Sequence, residues 1–209
     1  EIMDSLKPHL KLAETLGLLI SQISGGQIQK LEVRLQGEFA QHPSQPLVIA
    51  TLKGLLTSAL GDKINYVNAS LEAKGRGIDV VEIKDELSPE FARGSLQLDS
   101  FSDKGGHSVS GSIFGEGDLG ITSIDEYPIN FVPSRHMLFT RHRDMPGIIG
   151  QIGSLLGKHN VNIASMQVGR RIVRGEAVMV LSIDDPIPSK LLGSILSMQG
   201  INEAHSVTL

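Results

Sequence analysis

The sequence predicts an α+β chain in two parts. An N-terminal α+β domain covers residues 1–133, and a C-terminal ferredoxin-like βαββαβ domain covers residues 134–209. Three observations lead there. Apolar residues of the opening stretch recur at helical spacing, whereas from Ile78 to Val132 they alternate in short segments separated by Gly, Ser and Asp. Pro133-Ser134 interrupts that texture and marks the boundary. From His136 the periodicity changes in the order strand, helix, strand, strand, helix, strand.

Taken in order, "MDSLKPHLKLAETLGLLISQIS" puts Leu6, Leu10, Ala13, Leu16, Leu19 or Ile20, and Ile23 on one helical face, and Gly25-Gly26 stops it. "KLEVRLQGEF" alternates Leu31, Val33 and Leu35 with polar neighbours, a half-buried strand. "QPLVIATLKGLLTSAL" is a second helix ended by Gly61-Asp62. "NASLEAKGRG" is a short helix capped by Asn68 and closed by Gly75 or Gly77. "IDVVEI", "SLQLDSF", "HSVSGSIF", "GITSID" and "PINFV" are strands. In the second part, "HMLFTRH", "PGIIGQIGSLLGKH", "VNIASMQVG", "EAVMVLSID", "PSKLLGSILSM" and "INEAHSVTL" supply the six elements. About 75 residues make a thin core, so a partner surface is expected to help cover it.

Composition excludes several classes of function. A net charge of −4 gives no global attraction for nucleic acid or an anionic membrane. The absence of cysteine removes disulfides, thiolate nucleophiles and cysteine-ligated zinc or iron–sulfur clusters together. No apolar run reaches membrane-spanning length and no signal peptide opens the chain, so the cytoplasm is the expected compartment. The first residue is Glu1, so further sequence is expected before it. There is no G-x-S-x-G and no G-x-G-x-x-G after a strand, and "GSLLGK" is too short for a P-loop. The seven histidines are scattered, and His136 and His142 stand six residues apart, so no metal is expected. No catalytic residue is expected in this chain.

The stretch "RHRDMPGIIGQIGSLLGKHNVNIASMQVGR", Arg141 to Arg170, is different. Pro146 disfavours helical backbone in Met145 and is itself suited to begin the helix. Gly147 follows in the first turn, where backbone N–H groups are unpaired and favour an anion such as a carboxylate. Asp144 supplies the opposite charge for an ammonium. Asn162, opening the next strand, offers a donor and an acceptor. His142 shares a strand face with Asp144 and could reach a hydroxyl or carboxylate. These groups suit a small zwitterion. The alternative is structural: Gly147, Gly150 and Gly153 let the helix pack closely on its sheet, while Ile148, Ile149, Ile152, Leu155 and Leu156 fill the core. Asp144 is then an ordinary helix-start carboxylate and Asn162 a turn residue.

The motif D-x-P-G, a helix, a loop and "VNI" resembles the ACT domain at the C-terminus of D-3-phosphoglycerate dehydrogenases. "PHLKLAETLGLLISQISGG" and "INYVNASLEAKGRGI" resemble the intervening domain of the long form of that enzyme. Together the two cover essentially the whole chain. The resemblance implies an effector site of His142, Asp144, Pro146, Gly147, Ile148 and Asn162, with L-serine or another small amino acid bound between two ACT domains paired edge to edge. It implies a homo-oligomer and upstream catalytic domains holding NAD, which oxidise 3-phospho-D-glycerate to 3-phosphohydroxypyruvate in L-serine biosynthesis. One departure is Met145, where the family commonly carries arginine.

Other signals carry less. The βαββαβ topology is shared with RNA-recognition motifs, but "GEAVMVLSI" has no aromatic residue on which to stack a base, so no nucleic acid is expected. Seven Lys or Arg between Arg135 and Arg174 face one acid, Asp144; Arg170, Arg171 and Arg174 are read as a solvated hairpin tip, with an anion or partner-domain contact as the alternative. Lys74 and Arg76 are the basic residues nearest the acidic or neutral "GEGDLG" loop, and are read as solvated. Two other functions fit the pattern: a stand-alone amino-acid-sensing or oligomerisation module, and the small half of an iron–sulfur serine dehydratase. The missing cysteines and the lack of an "SSSHT"-like stretch speak against the second.

Overall fold

A computed structural model describes residues 2–85, 94–115 and 117–209, with side chains from Leu6 onward. Glu116, in the "GEGDLG" loop, lies outside the described residues. The chain divides into two compact units, residues 1–126 and 127–209.

The first unit begins with helix α1 (Ile2–Ile23), followed by strand β1 (Ile28–Gln36), a single turn α2 (Glu38–Gln41) and helix α3 (Ser44–Leu60). Helix α4 (Ala69–Gly75) precedes β2 (Asp79–Asp85), β3 (Ser95–Ser102), β4 (Gly105–Phe114) and β5 (Asp118–Ile124). These strands lie in the order β2-β1-β3-β4-β5. β1 runs parallel to β2, with Leu31 opposite Val80, and antiparallel to β3, with Leu31 opposite Ser100. The predicted α1 stripe buries Leu6, Ala13, Leu16, Leu19, Ile20 and Ile23, joined by Leu12. Leu10 is only half-buried, and His9 takes the inward position beside it. α1 and α3 meet through two glycines: a Cβ on Gly17 would lie 2.1 Å from the Thr51 carbonyl oxygen, and one on Gly54 would lie 2.0 Å from that of Glu14.

Two local expectations need correction. The strand predicted through "GEF" stops at Gln36, because Gly37 takes φ 56 and turns the chain into α2, burying Phe39. Asn68 does not cap α4 with its side chain. It is paired with Asn65 instead: Asn68 Oδ1 accepts from the Asn65 N–H at 2.8 Å, and Asn65 Oδ1 accepts from the Asn68 N–H at 3.1 Å.

The second unit opens with β6 (Tyr127–Phe131), ahead of the Pro133-Ser134 boundary expected from sequence. β6 passes against a later strand at Gly169, where a Cβ would lie 2.6 Å from the Pro128 carbonyl oxygen. Then come β7 (His136–Arg143), α5 (Ile148–Lys158), β8 (Ile163–Arg170), β9 (Glu176–Ile183), α6 (Ser189–Leu196) and β10 (Ile201–Thr208). That is the predicted βαββαβ order. The sheet runs β10-β7-β9-β8, antiparallel between neighbours. Leu138, Met179 and Leu181 of the sheet pack with Ile148, Ile152 and Leu156 of α5 and Leu191 and Ile195 of α6. β8 ends the strand order and stays exposed from Ala164 to Val168. Among the described residues no helix is long and apolar enough to cross a membrane.

Candidate functional site

The end of β7 carries the site. β7 is central in its sheet, and its last backbone groups are tied on both sides: the Arg143 N–H donates to the Gly200 carbonyl at 2.7 Å and the Asp144 N–H to the Gly175 carbonyl at 2.8 Å. Asp144 is thereby fixed just beyond the strand. α5 does not begin at Pro146. Gly147 adopts φ 90, a left-handed conformation open to glycine, and the helix starts at Ile148. This shift settles which isoleucine faces where. Ile148, Ile152 and Leu156 enter the core, so Ile148, expected at the effector site, is buried at 2 % exposure. Ile149, at 44 %, faces the cleft instead.

Asp144, Met145, Pro146, Gly147, Ile149, Arg170, Val173 and Arg174 line a cleft of about 350 Å³. Arg170 at the end of β8 donates from Nη1 to Asp144 Oδ2 at 2.8 Å, and the Arg174 backbone N–H reaches the same oxygen at 3.2 Å. Arg174 itself sits at φ 62, a left-handed conformation uncommon outside glycine. The Arg170 hydrogen bond, then the Arg174 N–H, hold the Asp144 carboxyl below the usual carboxylate range. The hairpin arginines read as a solvated tip are exposed, and two of them, Arg170 and Arg174, also line the cleft. Sequence spacing misses them because the β8–β9 hairpin meets β7 only through sheet order. Met145, in the position where arginine was expected, packs against the core, and a Cβ on Gly200 would lie 2.9 Å from its sulfur. The guanidinium beside Asp144 comes from β8 instead.

His142 and Asn162 lie elsewhere. His142, at 1 % exposure, is buried between Ala177 of β9 and Ile201 of β10, with Nδ1 3.4 Å from Thr140 Oγ1. It does not line the cleft. Burial pushes its imidazole below the ordinary value, and Asp144 opposes that in part. A folded pKa below the unfolded one means the unfolded chain takes up the proton first. The stability this neutral ring contributes is therefore complete above about pH 6.5 and is lost progressively as pH falls from there through the lower folded value. In urea titrations at pH values stepped downward from neutral, the wild-type midpoint is expected to drop more steeply than that of His142→Gln. Equal slopes in the two proteins would remove His142 as the cause.

Asn162 precedes β8 at the other end of the sheet. Its neighbour Ile163 pairs with Ile183, which pairs with His136 at the start of β7, while Arg170 pairs with Ala177 beside His142. Asn162 Nδ2 donates to Asp184 Oδ2 at 2.8 Å. Asp144 and Asn162 of one chain are therefore a strand length apart. Gly150 and Gly153 also differ from the packing reading: a Cβ on either would meet nothing within 4 Å.

Comparison with known proteins bears on what this cleft belongs to. Residues 5–125 match the model of the D-3-phosphoglycerate dehydrogenase intervening domain, and residues 136–202 match the ACT domain. The chain belongs to the D-3-phosphoglycerate dehydrogenase family. A D-3-phosphoglycerate dehydrogenase of Synechocystis is 55 % identical over 210 residues, spanning 100 % of this chain and 38 % of the relative. That of Methanocaldococcus jannaschii is 35 % identical over 100 % of this chain and 39 % of its own length, and that of Archaeoglobus fulgidus 37 % over 98 % and 39 %. The chain spans about two-fifths of the length of these dehydrogenases. The β7–α5 cleft lies within the ACT domain of this D-3-phosphoglycerate dehydrogenase family member, the second of its two matched regions.

Proposed function

We propose that this chain is the amino-acid-sensing and oligomerisation part of a cytoplasmic, NAD-dependent D-3-phosphoglycerate dehydrogenase. Its effector is a small amino acid, L-serine first among them, held where two ACT domains, each taken as residues 134–209, meet. NAD and the groups that oxidise 3-phospho-D-glycerate to 3-phosphohydroxypyruvate belong to upstream domains.

The observation that carries this reading is the Asp144–Arg170 pair at the rim of the cleft. A free amino acid offers the complementary two charges: its ammonium takes Asp144 and its carboxylate takes Arg170. The internal ion pair then stands where the ligand goes, and binding exchanges one pair of charge-assisted bonds for two. Two or three such contacts, at about 1.5–3 kcal/mol each, support affinity in the micromolar to millimolar range.

The position of Asn162 supports a site shared by two copies. When an edge strand pairs with itself about a two-fold axis, the residue numbers of opposed positions have a constant sum. A pairing of β8 centred on Met166 sets Asn162 of one copy opposite Arg170 of the other, next to Asp144. β8 is suited to it: its middle is exposed, with Met166 at 38 % and Val168 at 39 %. Ligand at this seam would lock the pair and bias attached domains, a coupling of typically about 1–3 kcal/mol.

Calorimetry of the 209-residue chain with L-serine, glycine and L-alanine tests the reading. Saturable heat is expected with serine, weakened at least about tenfold by Asp144→Ala and by Asn162→Ala. Unchanged affinity in both variants would reject the site, and no heat with any of the three would reject amino-acid sensing.

A further inference from the structure

A second constellation lies in the first unit. The scattering of histidines along the sequence predicts no metal, yet the fold gathers His9, Glu38 and His42, whose ligand atoms all lie within 4.8 Å of one another. Each is held by local structure. His9 points inward from α1 at 8 % exposure, with its ring 4.7 Å from that of Phe39 and 4.4 Å from that of His42. Glu38 opens α2 after the Gly37 turn, and Gly94 leaves no slack behind it: a Cβ there would lie 2.9 Å from the Glu38 Cβ and backbone nitrogen. His42 ends α2, its N–H donating to the Phe39 carbonyl at 3.3 Å. Pro43 follows and favours the extended backbone that His42 adopts, φ −80 and ψ 158.

The second observation concerns one atom. His42 Nε2 is buried and has no hydrogen-bond partner. Buried imidazole nitrogens are ordinarily satisfied, because one ring nitrogen donates and the other accepts. The edge-on packing of His9 against His42 supplies neither function, whereas a metal ion would use that lone pair. Two imidazoles and one carboxylate form a donor set for Zn²⁺ that leaves a fourth position for water. Nitrogen donors speak against Mg²⁺ and Ca²⁺, which take oxygen. Zn–N and Zn–O bonds of about 2.0–2.2 Å set tetrahedral donors roughly 3.4 Å apart, a closure within reach of side-chain rotation from the present spacing.

We propose that His9, Glu38 and His42 bind a divalent transition-metal ion of the Zn²⁺ type, tying α1 to the turn that follows β1. An ion that binds only the folded chain raises its unfolding midpoint. The test uses the chelator-stripped 209-residue chain titrated with Zn²⁺ alone by calorimetry, with thermal unfolding followed alongside. One saturable ion per chain and a raised midpoint are expected. His42→Gln and His9→Gln should each weaken binding by more than about tenfold, while His159→Gln, exposed on the other unit, leaves it unchanged. Should His9→Gln fail to fold, His42→Gln and Glu38→Gln carry the test, since Glu38 is exposed and His42 only partly buried. Absence of saturable Zn²⁺ binding, or equal affinity in wild type and His42→Gln, would overturn the proposal. Neither outcome bears on amino-acid binding at the ACT cleft, which is measured separately.

Discussion

Gly54→Ala is expected to destabilise the first unit by about 3 kcal/mol, shown as a large fall in urea midpoint by circular dichroism. Helix propensity alone predicts the opposite sign, since alanine in a helix interior is favoured over glycine by about 1 kcal/mol. Geometry decides the matter. A Cβ at Gly54 would lie 2.0 Å from the Glu14 carbonyl oxygen and 2.8 Å from its carbon, and those are backbone atoms of α1 that no rotamer change can move aside. The helices must separate, loosening Leu12, Leu16 and Ile20 along the same seam, all fully buried. Gly17→Ala meets the mirror obstacle at the Thr51 carbonyl and should behave alike. Gly157→Ala is the control within the same experiment: it sits in α5 with nothing within 4 Å of a new Cβ, and should gain about 0.5–1 kcal/mol. If Gly54→Ala and Gly157→Ala shift the midpoint in the same direction, the close approach of α1 and α3 is wrong.

On the proposed amino-acid site, Arg170→Glu is expected to weaken effector binding by about a hundredfold or more, the equivalent of losing one charge-assisted contact and facing a like charge in its place. The reversal puts a second carboxylate beside Asp144 and removes the donor that now holds it at 2.8 Å. It leaves a glutamate to repel the carboxylate of the ligand. Arg170 is largely exposed and lies at the end of β8, so the fold should tolerate the change, and an unaltered thermal midpoint would verify that. Calorimetry with L-serine reads the effect. A variant that binds as the wild type does would separate Arg170 from the effector and leave its pairing with Asp144 a purely structural tie.

The sequence carries the architecture well where a single element determines its own pattern. The α1 stripe apart from Leu10, the alternation of Leu31, Val33 and Leu35, and the six-element order after His136 follow from periodicity and appear in the structure. It carries less where two distant elements decide. Nothing in "ETLGLL" or "TLKGLL" marks Gly17 and Gly54 as contact points, because the reason for each lies in the other helix. The same holds at the cleft. Asp144 and Gly147 are visible beside Pro146, but Arg170 joins them only through the order in which strands are laid down. Ile148 and Ile149 exchange places because α5 starts two residues later than proline chemistry suggests, a rotation set by the left-handed Gly147. Burial of His142 follows from the central place of β7, which its own residues do not announce.

The separation of Asp144 and Asn162 to opposite ends of one sheet has a genetic corollary. A site assembled from the two belongs to neither chain, so a defect at one end is not equivalent to a defect at the other. Two chains, one damaged at Asp144 and one at Asn162, would each fail alone. Paired about a two-fold axis, they place both lesions in one site and leave the second site whole. Under the proposed two-copy site, complementation between two chains that each fail to bind the effector follows from the strand order.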